Sequence, residues 1–237
     1  MSLVLDIVCL LLLVGGFAVG WSRSPLSSGL TLFSAAVALT GAFFLSVPAG
    51  SWVSETRVAP LVEQSAANEL ADMVSAPHLS SGRETVAELP LSDMARQNAA
   101  PFARLVGRYG ADEAEVLSAA DNGSLAVLLA ITSGISLAIS RSAVFLVIFL
   151  LLMLLVRMLC RRLVEQNLPP PSRKSRWRKL VSALLGALTG LVLVYTLSAA
   201  LGMFLPYAPA DSLVFPRSLM EQTDLCRYLN LLNPFHG

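Results

Sequence analysis

The sequence predicts an all-α fold: a polytopic membrane bundle of four transmembrane helices with a small helical extracytoplasmic domain. Three observations predict it. Hydrophobic residues make up 55% of the chain and charged residues only 14%, with a mean hydropathy of +0.67, a balance foreign to a soluble domain. The apolar residues gather into runs long enough to cross a hydrocarbon core of ~30 Å at ~1.5 Å per residue. Lys and Arg are sorted to one side of those runs. The formal charge of +1 conceals a basic loop at 161–179 and an acidic stretch at 51–141 that holds eleven acids against six bases. Such sorting is vectorial, and it reads as topology and not as nucleic-acid binding.

The first hairpin occupies 1–50. Its opening run, 3–21, has the length of a signal peptide but carries Asp6 where a basic region would stand and has no convincing cleavage site before Arg23, so it reads as a retained span. A Pro25-containing turn with one base, Arg23, leads into a second apolar run that ends at Gly50. Placing Arg23 in the cytoplasm puts the N-terminus outside and returns the chain to the outside near Trp52. Trp21 and Trp177 then fall at the inner interface and Trp52 at the outer one, where amphipathic rings collect.

Residues 51–123 form the extracytoplasmic helical domain, polar and punctuated by Pro60, Pro77, Gly82, Pro90, Pro101 and Gly110. Val58, Leu61, Val62, Leu70, Met73 and Val74 fit one helical face there, and Phe102, Leu105, Val106 and Tyr109 fit another; no strand alternation is sustained. The segment 124–140 is apolar but short and diluted by Ser, Thr and Gly, at the lower limit for a span. Crossing there would turn the basic loop outward, so the segment is expected as an interfacial or re-entrant helix. The second hairpin is 141–206. Its first span is free of charge from Ser142 until Arg157, which reads as a snorkelling cation, and its second has none from Leu180 to Pro206. Between the two, Arg161, Arg162, Arg173, Lys174, Arg176, Arg178 and Lys179 stand against Glu165 and mark the cytoplasm. The tail, 207–237, returns outside, where Pro216 can start a short helix bearing Leu219, Met220, Leu225, Tyr228, Leu229 and Leu232.

Candidate functional residues are few. Gly16 and Gly20 in the first span, and Gly186 and Gly190 in the fourth with Ser182 in the same row, remove the side chains that hold helix backbones apart. Their matched depth suits packing of the first span on the fourth, or a contact in a homo-oligomer. Asp6, about one turn below the outer boundary, is level with Arg141; the two can form an intramembrane ion pair, or Asp6 can reach headgroups or water. The basic loop suits anionic lipid headgroups, or a cytoplasmic partner. His78 and His236 lie in loops, Ser80 and Ser81 beside His78 read as surface polar residues, and Cys9, Cys160 and Cys226 imply no disulfide framework. No motif nominates a catalytic residue, a metal ligand or a cofactor.

The opening Leu-Asp-Ile-Val at 5–8, the glycine-bearing span ending Gly20-Trp21-Ser22-Arg23, the apolar second span and Leu-Leu-Gly-Ala-Leu-Thr-Gly at 184–190 resemble the colicin V production protein family. That resemblance covers roughly the two hairpins; the segment between them is longer than in compact members of the family. It implies a multi-pass protein of the bacterial plasma (inner) membrane, with no catalytic residues to carry over. The expected function is that of a non-enzymatic accessory or scaffold factor in toxin-peptide export and cell-envelope maintenance, meeting a protein partner or the cell wall through its outer domain. The alternative is an oligomeric transporter or channel subunit with Asp6 near the pathway.

Overall fold

A charge-free run can satisfy its own backbone away from water only as a helix, and helix is what the chain forms. The computed structural model describes residues 2–73, 93, 100–167 and 176–205. In order they are α1 (Ser2–Ser22), α2 (Pro25–Val53), a π-helical turn (Ser54–Val58), α3 (Ala59–Met73), α4 (Ala100–Tyr109), α5 (Glu113–Ala119), a 3-10 turn (Ala120–Asn122), α6 (Ser124–Asn167) and α7 (Arg176–Phe204), with no strand among the described residues. Four helical stretches, Leu5–Ser22, Pro25–Glu69, Ser124–Arg162 and Arg176–Phe204, are long and apolar enough to cross a membrane. The expected tail helix, His78, His236, Ser80, Ser81, Cys226, Arg173 and Lys174 lie outside the described residues.

The chain divides into two compact units, Met1–Pro48 with Ala143–Gly202 and Ser218–Gly237, and Ala49–Ser142 with Met203–Arg217. In the first, small residues point inward and large ones outward. Ala35, Ala38, Ala42 and Ser34 on α2 and Ala183 on α7 have no exposed surface, whereas Phe44 is 78% exposed and Leu10 60%. Water would penalise such a surface, and lipid would not. Several hydroxyls of the bundle bond within their own helices: Ser34 donates to the Leu30 carbonyl at 2.7 Å and Thr196 to that of Val192 at 2.8 Å. Larger side chains enter at one level, where Phe43 lies 5.1 Å from Phe145 and 6.2 Å from Tyr195, ring centre to ring centre. Among the described residues Cys9, which is buried, and Cys160, which is partly so, form no disulfide.

The second unit has its own core. Ala66 and Ala67 of α3, Phe102 and Val106 of α4, Val116 of α5, Ala120, and Val127, Leu128 and Ile131 of α6 close around one another. Gly110, at φ 65°, lets α4 end with Ala111 donating back to the Val106 carbonyl at 3.1 Å, and the Asp112 side chain then caps α5 by accepting from the Ala114 amide at 3.0 Å. An ion pair between Arg108 and Glu69, and the Tyr109 hydroxyl donating to Glu69 at 3.3 Å, tie α4 to α3.

Two expectations change. The periodicity at 58–74 put Leu61 on the packed face, but Leu61 is 66% exposed, and Glu63, Ala66 and Ala67 are buried in its place. At about 100° per residue Glu63, Ala66 and Ala67 share one side of α3, and Leu61 stands roughly opposite them. The separate helix expected over 124–140 is the first part of α6, which runs through Ser140, Arg141 and Ser142 without a break. Its apolar residues enter the core of the second unit. Its hydroxyls fold back on the helix: Thr132 donates to Leu128 at 2.9 Å, Ser136 to Ser133 at 3.0 Å and Ser140 to Ser136 at 2.7 Å. At 44 residues α6 extends about 66 Å, more than twice a hydrocarbon core.

Candidate functional site: a glycine seam and an arginine-mouthed cleft

The first unit brings Gly16, Gly20, Ser182, Gly186 and Gly190 together along an antiparallel seam of α1 and α7. A methyl group added at Gly190 would stand 2.6 Å from the Leu12 carbonyl oxygen, and one at Gly16 would stand 2.5 Å from that of Gly186. At Gly186 it would meet the backbone of both Gly16 and Gly20. Every obstacle is main chain, which cannot swing aside, so these four positions accept only glycine at this separation.

Ser182 closes one end of the seam. Its hydroxyl has no exposed surface and donates to the carbonyls of Gly20, at 2.6 Å, and Arg23, at 3.0 Å, while sharing a 2.7 Å hydrogen bond with the hydroxyl of Ser28. One hydroxyl hydrogen serves the two carbonyls, so Ser28 is the donor in its bond with Ser182. The carbonyls at the end of α1 lack intrahelical partners, and Ser182 supplies one from across the seam. The turn is finished locally: the Ser24 hydroxyl accepts from the Ser27 amide at 3.3 Å, and Pro25 takes the first helical position of α2. Arg23 is thereby fixed at a defined place. Ser28 has no sequence signature that marks it, because its importance comes from a partner 154 residues away.

Beside the seam, α1, α2, α6 and α7 leave a cleft of about 300 Å³ lined largely by apolar groups, with Arg23 and Arg157 among its walls. A second cavity of about 350 Å³ shares Arg23, Thr31 and Arg157 with the first and adds Arg161, Ser24 and Ser27. The two cavities are neighbours that share these walls, one largely apolar and the other a polar mouth. Arg157, which the sequence offers only as a snorkelling cation, lines both.

The remaining predicted residues are placed as follows. Asp6 is partly buried in the first unit, and Arg141 belongs to the second. In the second unit Arg141 packs its stem on Gly50, where an added methyl would come within 2.7 Å of the Arg141 Cγ, and its Nε is buried without a hydrogen-bond partner among the described residues. Arg161, Arg162, Arg176 and Arg178 are exposed and Lys179 partly so. Arg176, Arg178 and Lys179 occupy the first turn of α7, where the helix dipole disfavours cations, so they do not serve the helix itself. Among the described residues no group of His, Cys, Asp and Glu could hold a metal ion.

These features define a class: the described residues form helices without a strand, and four helices among them are long and apolar enough to span a bilayer, compatible with a multi-pass membrane protein. No family model, no curated protein and no solved structure matches the chain.

Proposed function

We propose that the chain is a multi-pass protein of the bacterial inner membrane, with both termini and the second unit extracytoplasmic and the 161–179 loop in the cytoplasm. It acts without catalysis, as an accessory or scaffold factor in toxin-peptide export and cell-envelope maintenance. The orientation follows from the Lys and Arg bias of the loop and from Arg23. The scaffold role is supported above all by the seam: α1 and α7 touch main chain to main chain, a contact that suits a fixed assembly. The second unit, with a core of its own, offers a rigid body for a protein partner or the cell wall.

The transporter or channel alternative is favoured by the cleft and its arginine mouth. Cells lacking the protein decide between the two when assayed for colicin V export and detergent sensitivity, alongside purified protein in liposomes. The scaffold reading expects a defect restored equally by wild type and by Asp6→Asn, with no flux in liposomes. Flux that Asp6→Asn abolishes would establish the transporter, and cells without any export or envelope defect would remove both roles.

A further inference from the structure

Three arginines from two parts of the first unit line one mouth: Arg23 from the turn after α1, and Arg157 and Arg161 one helical turn apart on α6. Among the described residues no acidic side chain lines either cavity. Such a mouth suits a phosphate, since guanidinium groups meet its oxygens in a planar fork. Deeper in, the cleft offers nothing to a polar ligand. Thr31 donates to the Ser27 carbonyl at 2.9 Å, Thr189 to that of Leu185 at 2.9 Å, and Ser28 is engaged with Ser182. The volume, about 300 Å³, is at the small end of ligand pockets. One glycine on this wall is not explained by helix packing: a methyl at Gly15 would meet nothing within 4 Å, in contrast to its neighbour Gly16. Gly15 keeps the cleft open where the seam makes no demand for glycine.

We propose that this cleft binds one anionic phospholipid, its phosphate between Arg23, Arg157 and Arg161 and one acyl chain lying against Gly15 and Gly190. The site differs from the general attraction of the basic loop for headgroups, because it needs an apolar tail as well as a charge. Ser182 acts as a positioning residue, holding the Arg23 carbonyl and with it the turn that carries the guanidinium. The proposal assumes that the bundle lies in a membrane; retention of the wild-type chain in membranes after an alkaline wash checks that assumption separately.

The test is native mass spectrometry of the purified, delipidated full chain titrated with phosphatidylglycerol, phosphatidylcholine or inorganic phosphate. Expected is one phosphatidylglycerol per chain, bound about tenfold tighter than phosphatidylcholine and not displaced by millimolar phosphate. Arg23→Gln with Arg157→Gln lowers its affinity by roughly thirtyfold, from about fivefold per cation removed. Gly15→Leu, which fills the cleft and leaves every charge in place, lowers it comparably, and Arg57→Gln, a charge change in the second unit outside both cavities, leaves it unchanged. Equal binding of the two lipids, displacement by phosphate, or indifference to Gly15→Leu would each overturn the proposal. The last of these readouts needs no arginine variant to fold.

Discussion

Gly186→Ala tests the seam at its tightest point. The added methyl meets the Gly16 carbonyl oxygen and would stand 2.8 Å from the Gly20 Cα and 3.0 Å from the Gly20 nitrogen, all main-chain atoms. No rotamer relieves that overlap, so α1 and α7 must separate. Overpacking of this kind costs ~1–3 kcal/mol, and separation also stretches the hydrogen bonds of Ser182 to Gly20 and Arg23, at about 0.6 kcal/mol each for interhelical bonds in membranes. Together these give about 2–4 kcal/mol. Against this stands the gain of ~0.5–1 kcal/mol that alanine brings to a helix interior in place of glycine. Gly15→Ala isolates that gain, because its methyl would touch nothing within 4 Å. Thermal or denaturant unfolding of both variants in one detergent gives the comparison. Gly186→Ala should be less stable than wild type by about 1–3 kcal/mol, and Gly15→Ala equal to wild type or slightly more stable. Two variants of equal stability would refute the claim that backbone contact sets the separation of α1 and α7.

Ser182→Ala should cost ~1–2 kcal/mol, and in a double-mutant cycle with Ser28→Ala the two losses should fall short of additivity, since both act on one hydroxyl network; strict additivity would show the network to be no unit. Asp112→Ala removes the side chain that accepts from the Ala114 amide, and hydrogen exchange in α5 should quicken by about fivefold for ~1 kcal/mol. Burial holds the Tyr109 phenol above its ordinary value of 10.0, against a smaller lowering by the Arg108 guanidinium. Folded chains therefore keep a proton that unfolded chains release. The stabilisation is whole below pH 10 and is lost as the pH climbs through the raised value. The stability difference between wild type and Tyr109→Phe should be flat at neutral pH and change only above about pH 10; a difference constant to pH 11 would refute it.

Much of this architecture is legible without coordinates because lipid leaves the chain so few choices. A charge-free run must be a helix, and a spacing of four places Gly186 with Gly190, and Gly16 with Gly20, on one side of theirs. The spacing says nothing of Ser28 or of the meeting of Arg23 with Arg157, since these depend on which turn of α2 and α6 comes to face which. In the polar half, the fit of Leu61 to a helical face fails for a different reason. At about 100° per residue Leu61 stands roughly opposite Ala66 and Ala67, so its size and not its register recommends it. Small side chains compound the error: Ala66 and Ala67 are fully or almost fully buried, yet a scale that ranks leucine highest places the core on Leu61.

The continuity of α6 is the point at which hydropathy misleads most, and proline substitution tests it. Ser, Thr and Gly lower the apolar average of 124–140, so the segment looks detachable from the span beyond Arg141. In the structure those hydroxyls are bonded to carbonyls of their own helix, and Ser140 is 1% exposed with its side chain on the Ser136 carbonyl. Proline at 140 would remove an amide from the middle of a 44-residue helix and press its ring against the carbonyl four residues back, at ~3 kcal/mol or more. Proline at 125, in the first turn of the same helix, removes an amide that has no partner within the helix, and the side chain it replaces is 38% exposed. A helix ending near 140 would tolerate Ser140→Pro about as well as Leu125→Pro. A single helix makes the first far more damaging than the second, by a margin that unfolding in detergent can read, and equal stabilities would place a joint where the structure has none.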